Sequence, residues 1–313
     1  MTKKLKIIFS IIAWCVLIYY IINYNNYDTL LQTLSQSIYN GWRWGLIAIL
    51  LCPLNWYLEA KKWQTITKKL QPLTTKKAIL SILNGIVVAF FTPNRIGEMP
   101  ARCLDLEEGN RVRGLSLGII SSISQTLVIG LWGIPALILF IQILQNHKIS
   151  LLFPILIILI ILLTYCLLPS IINFFSKKKN TPSWFQYIQP IGELNGEELF
   201  KIMIIASLRY FVFCFQYYLF LKFFGIDLNI KNAFILIATN YLFLTFTPSI
   251  AYSEGITRAS IAIVVFSTVT KNTIAVGITG ITIWIINFII PMIVGSLLPF
   301  IKEKSSKQTL YHE

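Results

Sequence analysis

The sequence predicts an all-α integral membrane protein with about six transmembrane helices and two re-entrant helical hairpins arranged as an inverted repeat. Apolar residues make up 56% of the 313 residues and charged residues only 13%. Several apolar runs exceed the roughly 20 residues that cross a bilayer, and one segment recurs later in the chain. Because no polar stretch is long enough for a soluble domain of ordinary size, we predict a single membrane domain over residues 1–313.

Six apolar runs are long enough for full spans. The first has a basic start and lacks a small-x-small cleavage site, so we predict a retained helix and no cleaved signal peptide. The predicted spans are 5–22, 42–60, 114–142, 150–172, 200–221 and 273–300.

Two further apolar runs, 78–91 and 233–247, are too short for a span. Each ends in Thr-Pro followed by polar residues. Runs of this length suggest re-entrant segments, and non-helical backbone at membrane depth requires surrounding protein or a wet cavity. We therefore predict two helical hairpins that each return to their own side of the membrane.

The distribution of Lys and Arg supports this topology. With the N-terminus in the cytoplasm and both short runs as hairpins, 20 of the 27 Lys and Arg residues lie inside and six outside, while Arg209 lies within a span. This bias is the positive-inside pattern, so the net charge of +14 does not indicate nucleic-acid binding. It predicts a multi-pass protein of the cytoplasmic membrane with both termini cytoplasmic, and loop lysines of 61–77 that hold anionic lipid headgroups.

An internal repeat relates the two short runs. At an offset of 155 residues, seven identities fall within 21 ungapped positions, from Leu73 onto Leu228 to Pro93 onto Pro248. The predicted topology places the two copies in opposite orientations. We therefore expect inverted repeats, approximately 42–142 and 200–300, as in many secondary transporters.

The segment Thr92–Arg102 carries the first candidate site. Pro93 should end the short helix, and Gly97 should act as a second structural hinge. A new helix can begin near Glu98–Met99, with amide groups that suit a phosphate or carboxylate. Arg95 and Arg102 supply planar cationic forks for phosphate oxygens. Glu98 stands four residues before Arg102, so the two can form an ion pair.

The second copy supplies a counterpart with Pro248 and Gly255 as hinges and Glu254 and Arg258 as candidate headgroup ligands. It should face the first motif across the bilayer midplane. Arg209 is either a partner for Glu254 or another buried acid, or a residue whose side chain extends toward the interface.

Several chemical classes lack their sequence signatures. We find no nucleotide-binding glycine loop, no His/Cys metal cluster and no aspartate pair spaced for Mg²⁺-diphosphate. We therefore predict no catalytic residue, no metal and no cofactor. Energy coupling by ATP within this chain is not expected.

The pattern Pro93-x-x-x-Gly97-Glu98-x-x-x-Arg102 resembles the first signature of the lysylphosphatidylglycerol synthase transmembrane, or flippase-domain, family. Pro248 to Ala259 is similar to the second signature, although Arg258 stands where the family usually has an acid. The resemblance implies translocation of lipids between leaflets, best known for aminoacylated phosphatidylglycerol. The chain resembles the stand-alone membrane domain without the soluble synthase domain, so we do not expect it to make aminoacyl lipid.

The leading hypothesis is a lipid flippase or transporter whose partners are membrane lipids with anionic or zwitterionic headgroups. One rival is a membrane-embedded transferase acting on a lipid-linked substrate, for which Asp28 is the evident external carboxylate. The other is an accessory subunit of an envelope-assembly complex. Homo-oligomers or envelope-biosynthesis partners are compatible with each hypothesis.

Overall fold

The structure is a computed structural model that describes residues 27–145, 152–177, 182–248 and 251–297. Within these ranges the chain is helical and contains no β-strand. The predicted span 5–22 and both termini lie outside the described residues.

The described ranges contain ten α-helices. The last of them continues through a π-helical turn, Ile285–Ile289, and extends to Leu297. The helices are α1 (Tyr27–Thr67), α2 (Thr75–Phe91), α3 (Glu98–Cys103), α4 (Arg111–Gln145), α5 (Leu152–Ser176), α6 (Gln189–Gly192), α7 (Gly196–Phe223), α8 (Ile230–Phe246), α9 (Ala251–Phe266) and α10 (Thr273–Trp284).

Three of the described helical segments are long and apolar enough to cross a membrane: Glu108–Gln142, Pro154–Ser176 and Thr273–Leu297. They coincide with three of the predicted spans. The predicted spans 42–60 and 200–221 fall within α1 and α7, which carry buried or half-buried charged residues and are not among these three. The six-span count therefore stays a prediction.

Helix α1 differs most from its predicted bounds. It runs for 41 residues. It contains the predicted 42–60 span and also residues 27–41, which the predicted topology places in an external loop. At about 1.5 Å per residue it is roughly 60 Å long, about twice the hydrocarbon thickness of a bilayer. Asp28 thus lies in the first turn of a long helix.

Each predicted short run forms the first arm of a helical hairpin. Helix α3 packs back on α2, where the Ser81 hydroxyl donates to the Arg102 carbonyl at 2.8 Å and the Asn84 amide donates to Asp105 at 3.2 Å. Helices α8 and α9 are also in contact with each other. We call α2–α3 the first hairpin and α8–α9 the second hairpin. Their depth in a membrane stays a prediction.

The order of elements repeats along the chain. Helices α2 and α8 have 17 residues each, and both begin and end at positions 155 apart. Each follows a long helix, and each hairpin is followed by another long helix. Helices α3 and α9, however, differ in length, with 6 and 16 residues, and the inverted repeat stays a prediction.

The long helix after each hairpin reaches the first arm of the other hairpin. A Cβ on Gly133 of α4 would lie 3.2 Å from the Ala238 carbonyl oxygen, and one on Gly295 would lie 2.8 Å from the Leu83 carbonyl oxygen. Leu83 and Ala238 are themselves 155 residues apart. Each half of the chain thus contacts the hairpin of the other half.

The first hairpin depends on a close approach at Gly85. A Cβ there would lie 2.7 Å from the Arg102 Cγ and 2.9 Å from the Glu98 carbonyl oxygen. We predict that Gly85→Ala destabilises the protein by about 1–3 kcal/mol because the hairpin arms must separate. In detergent, the midpoint of heat-induced aggregation should fall by several degrees.

Gly196→Ala is the matched control, because a Cβ on this helical glycine of α7 meets nothing within 4 Å. An equal midpoint for Gly85→Ala and Gly196→Ala would contradict the close packing of α2 against α3.

Candidate functional site

The first hairpin turns through two residues with left-handed backbone. Helix α2 ends before Pro93, and Asn94 and Arg95 have φ values of 51° and 56°. A left-handed conformation is uncommon for residues other than glycine and costs roughly 1–2 kcal/mol for a residue such as Arg. Such strain is characteristic of functional segments, and it directs Arg95 away from its own hairpin.

The two candidate hinge glycines have other roles than expected. Gly97 has ordinary helical backbone, φ −72°, because the turn is made two residues earlier. A side chain does not fit at Gly97, because a Cβ there would lie only 2.8 Å from side-chain atoms of Val88 and Thr92. Gly255 lies inside α9, and a Cβ there would approach the Trp284 ring to 3.0 Å. Both glycines allow close packing, and Pro93 and Pro248 each follow the end of a first arm.

The two hairpins meet through charged side chains at their tips. The Arg95 guanidinium donates to both carboxylate oxygens of Glu254, at 2.7 and 3.4 Å. Arg258, one turn further along α9, donates to the same carboxylate at 2.9 Å. The guanidinium of Arg95 also lies 3.7 Å from the centre of the Phe288 ring. We call Arg95, Glu254 and Arg258 the inter-hairpin bridge.

A second charged cluster lies deeper, centred on Glu59 of α1. Its carboxylate contacts Arg102 at 2.6 Å, Arg209 at 2.7 Å and Lys62 at 2.9 Å. Arg102 also forms the expected ion pair with Glu98. Glu59, Lys62 and Arg102 have side chains at most 4% exposed. The Glu59 cluster therefore joins α1, α3 and α7.

Arg209 pairs with a buried acid, which is one of the alternatives expected from sequence, and this acid is Glu59. Arg209 also donates to the side-chain oxygens of Asn55 at 3.0 Å and Gln125 at 3.4 Å. Lys62, counted from sequence among the loop lysines that hold lipid headgroups, is buried because α1 continues past the predicted end of its span.

The π-helical turn of α10 brings further side chains to the site. π-Turns insert one extra residue per turn and are frequent at functional sites. Here the turn presents Phe288 to Arg95, while the side-chain oxygen (Oδ1) of Asn287 accepts from the Asn55 amide at 3.2 Å. This turn thus connects the inter-hairpin bridge with the Glu59 cluster.

Two neighbouring cavities flank the inter-hairpin bridge. The tip cavity has a volume of about 460 Å³ and the inner cavity about 240 Å³. Arg95, Arg258, Leu244 and Thr245 line both. The tip cavity adds Thr92, Asn94, Phe246, Thr247, Pro248 and Glu254, and the inner cavity adds Glu98, Arg102, Gln125, Arg209, Trp284 and Asn287 among others.

The structure thus brings all predicted charged site residues to one region. Arg95, Glu254 and Arg258 meet at the tips, and Glu98, Arg102 and Arg209 line the adjoining inner cavity. Within the described residues there is no group of three His, Cys, Asp or Glu side chains placed for a metal ion. Helix α3, whose amides were expected to bind an anion, has only six residues, whereas four arginine side chains line the two cavities.

Sequence reasoning missed Glu59 and the equivalence of the two motifs. Glu59 is the one carboxylate within the six predicted spans, and that rarity was the available signal.

The pairs Glu98–Arg102 and Glu254–Arg258 are related by an offset of 156, one residue more than the prolines. Both i,i+4 pairs form. The second motif therefore repeats the first with a one-residue insertion.

The Glu59 cluster gives a prediction about stability. We expect Glu59→Gln to destabilise the protein by about 3–5 kcal/mol, because it leaves buried cations without their shared carboxylate. The double variant Glu59→Gln, Arg209→Gln should regain part of the loss because one excess cation is removed. Thermal unfolding in detergent measures both changes.

Glu108→Gln is the matched control, since this carboxylate is 90% exposed and lies 3.7 Å from Arg111. It should change stability by less than about 0.5 kcal/mol. If Glu59→Gln were as stable as this control, the Glu59 cluster would not hold the helices together.

Comparison with known families agrees with this description. The family model described as the lysylphosphatidylglycerol synthase TM region matches residues 5–295. No curated protein and no solved structure gives a significant match. The matched region includes both hairpins and both charged clusters, and the family has a membrane-lipid-related function. The chain belongs to the lysylphosphatidylglycerol synthase transmembrane family.

Proposed function

We propose that this protein is a lipid flippase, or transporter, that moves a phospholipid or lipid-linked headgroup across the cytoplasmic membrane between its two hairpins. The observation that carries the proposal is the inter-hairpin bridge, which joins the two tips between two cavities. Charges at this depth in a membrane protein are costly and are associated with function. The polar and charged side chains that line the two cavities suit a lipid headgroup.

The exposure of the arginines indicates which of them meet the headgroup. The side chains of Arg95, Arg209 and Arg258 are 34%, 22% and 20% exposed, whereas that of Arg102 is 2% exposed. Arg102 already holds two carboxylates, Glu59 and Glu98. We therefore assign phosphate binding to Arg95, Arg258 and Arg209, and we assign Arg102 a positioning role for the first hairpin.

The bridge can exchange its partner at low cost. A phosphate offers two oxygens to the Arg95 fork with much the same geometry as the Glu254 carboxylate. When Arg95 turns to a phosphate, Glu254 keeps its contact with Arg258. Neither group is left buried and unpaired, which would cost several kcal/mol. The hairpin tips can thus separate while a headgroup moves from one cavity to the other.

The orientation follows from the charge distribution of the sequence. We place both termini in the cytoplasm, the first hairpin on the cytoplasmic side and the second on the external side. The inner face of each hairpin would then receive headgroups from its own leaflet. Apolar residues exposed on α5, such as Ile160 at 64%, provide a surface for the bilayer.

Reconstitution tests transport directly. Purified protein in liposomes should accelerate the exchange of fluorescent phospholipids between leaflets, measured by dithionite quenching of the outer leaflet. We predict that Arg95→Gln lowers this rate at least tenfold, because glutamine lacks the charged, paired donors with which the guanidinium binds two phosphate oxygens.

Arg113→Gln is the control, as this exposed arginine at the start of α4 lies away from both cavities. No acceleration over protein-free vesicles, across several lipid classes, would contradict transport. Product formation from a lipid-linked substrate would favour the transferase, and a stable co-purifying partner without lipid movement would favour the accessory subunit.

Separation of the tips is testable by cross-linking. In a background without the native cysteines, the double variant Asn94→Cys, Phe246→Cys should react with a bifunctional maleimide, since these residues of opposite hairpins line the tip cavity and neither belongs to the inter-hairpin bridge. We predict loss of lipid exchange after cross-linking, because the joined tips cannot part.

The two single variants treated with the same reagent are the matched controls, since they carry the label without the link. Their own rates set the baseline for the effect of the link. Equal rates before and after complete cross-linking of the double variant would show that the tips need not separate.

A further inference from the structure

The two cavities carry an excess of positive charge. Four arginines and two carboxylates line them, so the lining has two uncompensated positive charges: Arg95, Arg102, Arg209 and Arg258 against Glu98 and Glu254. Directly behind the inner cavity, Glu59 and Lys62 form an ion pair and cancel each other. The excess therefore remains when the whole buried charged region is counted.

The carboxylates of this region are already engaged. Glu98 is bound by Arg102, and Glu254 is bound by Arg95 and Arg258. Glu59 is bound by Arg102, Arg209 and Lys62. Among the described lining residues, no carboxylate is left to receive an ammonium group without giving up an arginine.

The neutral lining groups also favour an acceptor. The side-chain oxygen of Gln125 accepts from Arg209, and that of Asn287 accepts from Asn55. The indole N–H of Trp284 is buried and has no hydrogen-bond partner among the described residues. The two bonds from Arg95 to Glu254 use two of the five guanidinium donors. Arg95 and Trp284 thus retain hydrogen-bond donors that an anionic headgroup can accept from.

We propose that the ligand is a lipid whose headgroup is net negative, a phosphate without a compensating amine, and that the site discriminates against aminoacylated lipids with cationic headgroups. The inference rests on the proposed function and specifies its substrate class. A phosphate neutralises part of the excess and fills the free donors. An added ammonium would meet like charges at short range in a medium of low dielectric constant, which disfavours binding.

The ligand proposed for this chain differs in charge from the lipid named in the family description. Lysylphosphatidylglycerol carries a cationic headgroup, whereas phosphatidylglycerol carries only its phosphate charge. The two share one glycerophosphate unit, so a difference in their handling reports on the amine. Phosphatidylethanolamine, with one amine and one phosphate, stands between them.

The test compares these lipids in one vesicle background. Trace fluorescent phosphatidylglycerol, phosphatidylethanolamine and lysylphosphatidylglycerol are added at equal amounts to proteoliposomes of constant composition. We expect phosphatidylglycerol to exchange at least ten times faster than lysylphosphatidylglycerol, with phosphatidylethanolamine between them. Equal rates, or a faster cationic lipid, would overturn the inference while leaving lipid transport in place. Phosphatidic acid, a phosphomonoester, is tested in the same vesicles. If it exchanges faster than phosphatidylglycerol, the preferred headgroup is a phosphomonoester. If it exchanges more slowly, the preferred headgroup is a phosphodiester.

The ratio of the phosphatidylglycerol rate to the lysylphosphatidylglycerol rate distinguishes a charge effect from a folding defect, because a folding defect lowers both rates together. Arg258→Gln removes one excess charge and should lower the ratio of the anionic to the cationic rate several-fold. Arg258→Lys keeps the charge and should keep the ratio, as should Arg113→Gln away from the cavities. An unchanged ratio in Arg258→Gln would contradict selection by the excess charge.

Binding tests the same inference without transport. Native mass spectrometry of the detergent-solubilised protein should retain phosphatidylglycerol in preference to lysylphosphatidylglycerol at equal concentration. Equal retention would overturn the inference even if no lipid exchange were seen, whereas preferential retention without exchange would contradict the proposed transport alone.

Discussion

The shared carboxylate of Glu59 is the interaction on which the rest of the structure depends. It fixes Arg102 of the first hairpin and Arg209 of α7 against α1. Because these groups are buried, each would be strongly destabilising without its partner. With Arg102 held in this way, the first hairpin is anchored at its base and its tip presents Arg95 to the second hairpin. The strained turn at Asn94 and Arg95 is tolerated because both ends of the hairpin are packed.

The two charged clusters differ in a way that suits different roles. The Glu59 carboxylate is buried and is shared by three cations, two of which line the inner cavity. The inter-hairpin bridge borders two cavities, and its central carboxylate has two arginine partners. The first arrangement resists change, whereas the second can lose one contact without leaving a bare charge. In the proposed mechanism, the rigid cluster supports the bridge while the bridge exchanges its partner.

Much of the fold followed from simple sequence signals. Hydropathy located three helices long enough to cross a membrane, the paired Thr-Pro motifs marked the ends of α2 and α8, and these two helices begin and end 155 residues apart, as the repeat predicted. The Glu98–Arg102 pair followed from its spacing. The bounds of α1 did not follow, because its ends are polar and its helix is longer than any membrane requires. The partner of Arg209 did not follow either, since 150 residues separate it from Glu59 and only packing brings them together. The positive φ at Asn94 and Arg95 was unpredictable because nearby Gly97 was the expected site of an unusual turn.

The central claim is that Arg95 exchanges Glu254 for a lipid phosphate. The most direct measurement is a cryo-electron microscopy structure of the protein in nanodiscs of anionic phospholipid. We expect headgroup density between Arg95 and Arg258, with the contact between Arg95 and Glu254 broken. An intact bridge with lipid density confined to the outer surface of the helices would contradict it.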